Sequence, residues 1–347
     1  MAEQTPPTTP AELPATMLAI DAPGGAASDP GSMVDVEIPT PVPHGHDLLV
    51  AVDAVSVNPV DVKNRGRAKK GDAPRVLGFD AVGRVVAVGE DARRFGVGDR
   101  VFYAGQVDRA GSDAQFQLVN ENIVGAAPES LTDAEAAAVP LTAITAWEAL
   151  FDRLRLDADS EGTLLVIGAA GGVGSLIIQF ARALTRLTVI AVASRPESEE
   201  WVTRMGADHV VGRDFADAVR EIAPGGVDYV FTSFTPGNID AIAAVIRPRG
   251  EVVSIDETGG SIDALKGKSV TWHWELMFTR PIHEPDDDYQ HELLTRVAGL
   301  LDAGEVSTTL TTTLSPLDAA TLREAHALVE TSRTIGKVVV TGPWGAE

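Results

Sequence analysis

Apolar residues along the chain fall into two textures. From residue 16 to about 140 they alternate with polar ones, most clearly in the Val-rich runs 48–57 and 81–88 and more briefly at 101–103 and 115–119. Gly, Pro and Asp punctuate these runs, as in Gly96-Val97-Gly98-Asp99, which predicts short strands joined by turns. After Ser130 the pattern changes. The Ala-rich stretch 132–154 reads as helix interrupted at Pro140. Beyond it, apolar strands at 163–167, 188–192, 209–211, 227–232 and 251–255 alternate with helical segments at 173–184, 197–205, 215–222 and 238–246. That rhythm predicts a parallel sheet with helices on both faces. Another helix after Gln290 and a strand at 336–340 close the chain.

A length of 347 residues favours two domains. The 28 basic and 50 acidic residues leave a formal charge of −22. A field of that sign repels phosphate backbones and anionic bilayers, so neither nucleic acid nor a membrane surface is expected as a partner. No cysteine is present, which removes disulfides, thiolate nucleophiles and Cys-ligated zinc. No apolar run reaches transmembrane length, and residues 1–15, rich in Pro and Thr, lack the features of a secretory signal and read as a disordered leader. A cytoplasmic location is the simplest expectation.

The sharpest chemical signal follows the strand 163–167. Gly168-Ala169-Ala170-Gly171-Gly172-Val173-Gly174 leads directly into an amphipathic helix. Strand, Gly-rich turn and helix in this order form a dinucleotide site. Gly171 lets the backbone approach a pyrophosphate, Gly174 lets the helix pack closely, and the helix N-terminus offers free N–H groups to the phosphates. Ala170, Gly172 and Val173 belong to the same turn. The next strand ends in Ser194-Arg195 where an NAD site would carry an acid; an arginine and a hydroxyl suit the 2′-phosphate of NADPH. Ser233, Ile255 and Asp256, at the ends of later strands, are further expected cofactor contacts.

At this point the sequence resembles a known family, the zinc-less, quinone-reductase-like branch of the medium-chain dehydrogenase/reductases, often named zinc-type alcohol dehydrogenase-like. The matching segments are Ser56-Val57-Asn58-Pro59-Val60-Asp61, Gly78-Phe79-Asp80-Ala81-Val82-Gly83, Gly98-Asp99-Arg100-Val101, Pro140-Leu141-Thr142-Ala143-Ile144-Thr145-Ala146-Trp147 and the Gly168–Gly174 turn. A segment at 272–280 resembles a particular subgroup. The resemblance implies an α/β protein with a GroES-like β-barrel catalytic domain at 16–141 and 304–347 and a doubly wound parallel-sheet Rossmann domain at 142–303. It also implies an active site in the cleft between them and a homodimer or homotetramer. Zinc enzymes of the superfamily hold their metal with a Cys and a Gly-His-Glu segment; here those stretches read Asn58-Pro59 and Gly78-Phe79-Asp80, so no metal is expected.

Without a Lewis acid, reduction of a simple ketone is hard, because its developing alkoxide lacks stabilisation. A quinone or an α,β-unsaturated carbonyl is easier, since charge spreads onto a distant oxygen that a few donors can hold. The expected activity is therefore NADPH-dependent hydride transfer to such acceptors. Metal-free alcohol oxidation and a non-catalytic NADPH-binding role are the alternatives. Expected catalytic residues are Asn58 as a donor, Lys63 as a charge for the oxyanion, Asp61 as their orienter and Tyr103 as a proton source. Thr142 matches the family position near the nicotinamide ribose. Trp272, Trp274 and Phe278 are expected to line an apolar pocket, or else to form an interface or core stripe. His44 and His46 make an H-x-H pair too sparse for a metal site.

Overall fold

The computed structural model describes residues 13–67, 71 and 73–345, so most of the expected leader lies outside the described residues. Thr16–Asp21 (β1) and Val34–Pro39 (β2) form an antiparallel ribbon. The alternating runs then become Asp47–Val57 (β3), Ala81–Val88 (β4), Arg100–Tyr103 (β5), Phe116–Asn120 (β6) and Val124–Ala126 (β7), with one helix, Pro59–Arg67 (α1), after β3. The Ala-rich stretch folds as Asp133–Ala137 (α2) and Pro140–Trp147 (α3). Pro140 starts the second helix, where its missing N–H costs nothing. A wider helical turn, Glu148–Arg153, continues α3.

The strand–helix alternation is Glu161–Ile167 (β8), Gly172–Leu184 (α4), Arg186–Val192 (β9), Pro196–Met205 (α5), His209–Val211 (β10), Ala216–Ile222 (α6), Val227–Thr232 (β11), Ile239–Val245 (α7) and Ile246–Ser254 (β12). Thr271–Trp274 (β13), Thr279–His283 (α8) and Tyr289–Asp302 (α9) follow. The end of the chain supplies Leu310–Leu314 (β14), Ala319–Glu330 (α10) and Lys337–Thr341 (β15).

Two larger sheets organise these strands. One is parallel throughout, in the order β10-β9-β8-β11-β12-β13. The other runs β14-β15-β3-β4-β5-β7, with β6 also on β3. The α/β class with a barrel and a doubly wound sheet is thus as expected. Alternate residues of the parallel strands face opposite ways. Leu164, Val166, Val189, Phe231 and Val253 enter a core that also holds Phe79, Phe102, Ile144 and Phe180, so it joins both sheets. Leu165, Ile167, Ile190, Val230 and Val252 fill a separate core on the far face. β15 pairs antiparallel with β3 through Val338 and Val57, which places the last strand beside the segment that opens α1.

The β8–α4 turn shows why two of its glycines differ. A Cβ on Gly174 would sit 2.4 Å from the Gly168 carbonyl oxygen and 2.7 Å from the Ala169 Cα, so helix and strand close on it. A Cβ on Gly171 would meet only the Gly168 oxygen, at an ordinary 3.5 Å. Gly174→Ala should therefore cost about 2 kcal/mol or more through overpacking, whereas Gly171→Ala should leave stability within about 1 kcal/mol. Urea unfolding of the two variants checks this, and equal losses would contradict the placement of the turn.

Candidate active site

The order of the parallel sheet reverses between β8 and β11, and a crevice opens at the carboxyl ends of strands at such a switch point. Here it is bounded by the Gly168–Gly174 turn after β8 and Ser233 after β11. Gly168 has φ +85°, and a Cβ there would strike the Ser233 hydroxyl at 2.1 Å. At the end of β12 Ile255 is partly buried, and the Asp256 carboxylate accepts from the Thr235 N–H at 2.8 Å and from the Ser254 hydroxyl at 3.0 Å. α4 is capped by Gly171 with no side-chain acceptor, so its first N–H groups lack a side-chain partner. An anion fits that position, and Gly171 leaves room for it. Thr142 donates its hydroxyl to the Val139 carbonyl at 3.0 Å and turns its methyl toward Gly172.

Ser194 is exposed beyond β9 and Arg195 opens α5. Arg195 Nη2 donates to the Arg333 carbonyl at 2.7 Å. That bond draws Arg333, an exposed residue of the α10–β15 connection, to the same rim. Sequence reasoning missed Arg333 because 138 positions separate the two arginines.

A second residue it missed is Lys337, 4% exposed at the start of β15. Its ammonium donates to the Val57 carbonyl at 3.1 Å and to Asn58 Oδ1 at 2.5 Å, and it lies 3.1 Å from Asp80 Oδ2. Asp80 is itself wholly buried. Its Oδ1 accepts from the Leu141 N–H at 2.7 Å and its Oδ2 from Asn58 Nδ2 at 2.9 Å. Burial pushes the Asp80 carboxyl up and the Lys337 ammonium down, each resisted by the other. With N–H donors on both oxygens, Asp80 is the carboxyl best able to hold its charge.

The expected catalytic residues separate on inspection. Asn58, 1% exposed, gives its amide oxygen to Lys337 and its N–H groups to Asp80 and the carbonyls of Phe79 and Ser56, so it is committed to the protein. Asp61 accepts the Asn58 backbone N–H at 2.7 Å through one oxygen, while its other is buried without a partner. Burial pushes its pKa up to about 7. Asp113, also fully buried, is pushed well above the usual carboxylate range by burial and then by Asp61. Lys63 is exposed on α1 and has no ion pair among the described residues. The expectation for Tyr103 needs correcting: it is 1% exposed inside the barrel core, its hydroxyl unpartnered and its pKa raised by burial, so it faces the wrong way to deliver a proton.

The aromatic segment also divides. Phe278 is buried edge-on against Phe79, ring centres 5.5 Å apart, and joins the α8 segment to the barrel at the Asn58–Asp80 wall. Trp272 packs with the far-face core of the parallel sheet. Trp274 is 55% exposed on the edge strand β13. His46 pairs with Glu121 at 2.8 Å and His273 with Glu251 at 2.8 Å. An open groove of about 850 Å³ along Arg94, Arg100, Glu129 and Asp133 contains none of these site residues.

Asp61 makes a pH-dependent contribution whose sign follows from burial. The folded chain keeps this proton to about pH 7, whereas an unfolded aspartate, at 3.8, has already lost it. Stability therefore falls as pH rises between those values. Asp61→Asn keeps an acceptor for the Asn58 N–H and removes the titration. The variant should gain roughly 2 kcal/mol relative to the native protein between pH 5 and 7. Urea unfolding across that range checks it; parallel curves would mean that Asp61 is ionised throughout.

The alcohol dehydrogenase GroES-like domain matches residues 44–143, and the zinc-binding dehydrogenase domain matches residues 205–340. A zinc-type alcohol dehydrogenase-like protein of Staphylococcus aureus (strain COL) is 42% identical over 310 residues, 86% of this chain and 92% of its own. A chloroplastic NADPH-dependent alkenal/one oxidoreductase of Arabidopsis thaliana is 30% identical over 303 residues, covering 84% of this chain and 71% of that protein. Among solved structures, a Rhizobium etli CFN 42 protein provisionally assigned to the zinc-dependent alcohol dehydrogenases superposes with a TM-score of 0.91 at 48% identity, covering 95% of this chain and 99% of its own. The chain is an oxidoreductase of the medium-chain dehydrogenase/reductase family, in its zinc-type alcohol dehydrogenase-like, quinone-reductase-like branch.

Proposed function

We propose that the protein is an NADPH-dependent reductase of conjugated carbonyl acceptors, a quinone or an α,β-unsaturated aldehyde or ketone. The observation that carries the cofactor half is Ser194-Arg195 at the end of β9, where a 2′-hydroxyl would call for an acid and a 2′-phosphate calls for a cation; Arg195 is held at this rim by a bond from its Nη2 to the backbone carbonyl of Arg333. The turn, with Gly171 open and the first N–H groups of α4 uncapped by a side chain, suits the pyrophosphate. When bound, NADPH supplies the hydride.

Support for the acceptor half comes from the chemistry of the wall. At the positions where zinc-dependent relatives carry metal ligands, this chain has an amide, a phenyl ring and a carboxylate. Its buried amide and ammonium are already bonded to protein oxygens. Lys63, exposed on α1 without an ion pair among the described residues, is the proposed cation for an enolate or hydroquinone oxygen, and Asn58 and Asp61 hold the start of the helix that carries it. Phe79 and Phe278, buried edge-to-face behind this wall, stiffen it. The Arabidopsis relative, by its name, acts on alkenals and alkenones with NADPH. A cytoplasmic location fits this chemistry and the absence, among the described residues, of a helix long and apolar enough to cross a membrane.

Two measurements test the reading. NADPH oxidation should proceed with 9,10-phenanthrenequinone and with an alkenone, while alcohol plus NADP+ should give little turnover; no acceptor reduced, despite tight NADPH binding, would favour a binding protein. Arg195→Ala should weaken NADPH about tenfold or more while leaving NADH nearly unchanged. Equal losses for both nucleotides would remove Arg195 from 2′-phosphate recognition. The protein is further proposed to pair with a second copy along the β13 edge, where Trp274 and Leu276 are 55% and 58% exposed. Trp274→Glu/Leu276→Glu should then sediment as a smaller species than the native protein.

A further inference from the structure

We propose that Lys337 is a positioning residue for hydride transfer, locking the Asn58–Asp80 wall of the cleft to the cofactor turn while giving none of its own N–H groups to the ligand. This rests on the cofactor reading above and adds a residue to it. An ammonium has three N–H groups, and three oxygens surround this one: the Val57 carbonyl at 3.1 Å, Asn58 Oδ1 at 2.5 Å and Asp80 Oδ2 at 3.1 Å. All three belong to the barrel side. No donor is left over for a phosphate.

The stem of the same side chain lies against the nucleotide side. A Cβ on Gly172 would meet Lys337 Cδ at 2.7 Å and the Thr142 methyl at 2.9 Å, so Gly172 is the space into which both pack. One residue earlier, the Gly336 N–H donates to the Ala170 carbonyl at 2.8 Å. The contacts close a ring. Lys337 holds Asn58 and Asp80; Asp80 holds the Leu141 N–H; Thr142, the next residue, touches the turn; and the turn touches Lys337. A shift of the turn is passed through a buried, fully bonded side chain to the wall beside Phe79, whose carbonyl accepts from Asn58. The charged groups facing Lys337 are Asp80, ahead of β4, and Asp61, on α1, with Asp113 behind Asp61; Gly172, at the start of α4, lies against its uncharged stem.

Three full-length variants test the role: Lys337→Met, Lys337→Arg, and Lys337→Met combined with Asp80→Asn, which removes a buried carboxylate together with the ammonium. Each is compared with the native protein in thermal stability, dinucleotide affinity, kcat and KM for the acceptor, and emission of the bound nicotinamide. Lys337→Met should lower kcat about tenfold or more while cofactor affinity stays within about threefold. Bound nicotinamide should show a shifted emission. The double variant should regain most of the thermal stability without regaining kcat, and Lys337→Arg should recover only part of it.

A tenfold loss of cofactor affinity at unchanged kcat would make Lys337 a phosphate ligand and overturn the proposal. So would full recovery of kcat in the double variant, which would reduce the lysine to charge compensation. If Lys337→Met does not fold, the double variant decides between these outcomes. Nicotinamide emission needs no acceptor and is read with whichever of NADPH and NADH the native protein binds. Failure to reduce quinones or enones would therefore sink the functional reading while an unshifted emission would sink this one.

Discussion

A buried ammonium among buried carboxyls constrains this molecule more than any apolar contact. Placing charges in a low-dielectric interior costs several kcal/mol per ion unless their partners are close and well aligned. Lys337 and Asp80 meet that requirement only because four pieces of chain arrive at one point: the end of β3, the segment before β4, the start of α3 and the start of β15. Three come from the first 141 residues and one from the last dozen. The C-terminal return is therefore a condition for folding the site. Without β15 beside β3, Asp80 would remain buried beneath Leu141 with no cation.

The same return serves the cofactor side. The connection that leads into β15 brings Arg333 to Arg195, and Gly336 bonds to the Gly-rich turn before the chain reaches Lys337. Within the five residues 333–337, three thus touch in turn the Arg195 rim, the Gly-rich turn and the Asn58–Asp80 wall. Each touch is short and directional. A short segment linking all three suits the proposed reading, in which cofactor turn and acceptor wall must stay in register, because hydride transfer is sensitive to displacements of about 1 Å.

Much of this was legible where the signal is local. The Gly168–Gly174 turn could be read because strand, glycines and amphipathic helix lie within about twenty positions and every residue constrains its neighbour. The alternation in β3 and β4 gave the barrel strands to within a residue or two. Local pattern could not say which face of a short strand meets which core, so Tyr103 was assigned to the cleft while its hydroxyl lies within the barrel. Trp272 and Trp274 show the same limit: two positions apart on β13 they share one face, ring centres 5.9 Å apart, and the pattern could not say that Trp272 would pack on the far core while Trp274 stays open at the edge. Lys337 stands before a Val-rich strand and looks like a solvated strand start. Its meaning depends on a partner 279 positions away, and no periodicity reports that distance. α10 went unread because its Ala- and Leu-rich face resembles the surrounding linker until β2, β3 and α1 are there to cover it.

The arrangement also bears on which reactions the cleft suits. A catalytic zinc is useful because one coordination position stays open for the substrate oxygen. The ammonium of Lys337 brings positive charge to this wall, yet its N–H groups are all directed at protein oxygens. It can organise the wall and raise the local potential, but it cannot ligate a carbonyl oxygen without breaking bonds that its burial makes expensive to lose. A simple ketone, whose reduction concentrates charge on one oxygen at the reacting carbon, gains little from such a cation. A conjugated acceptor places its charge farther away and, on the proposed reading, depends less on a cation at this wall. On the proposed reading, a closed ammonium in this wall suits electron-poor π systems, and the rigidity that closes it would hold the wall in register with the cofactor.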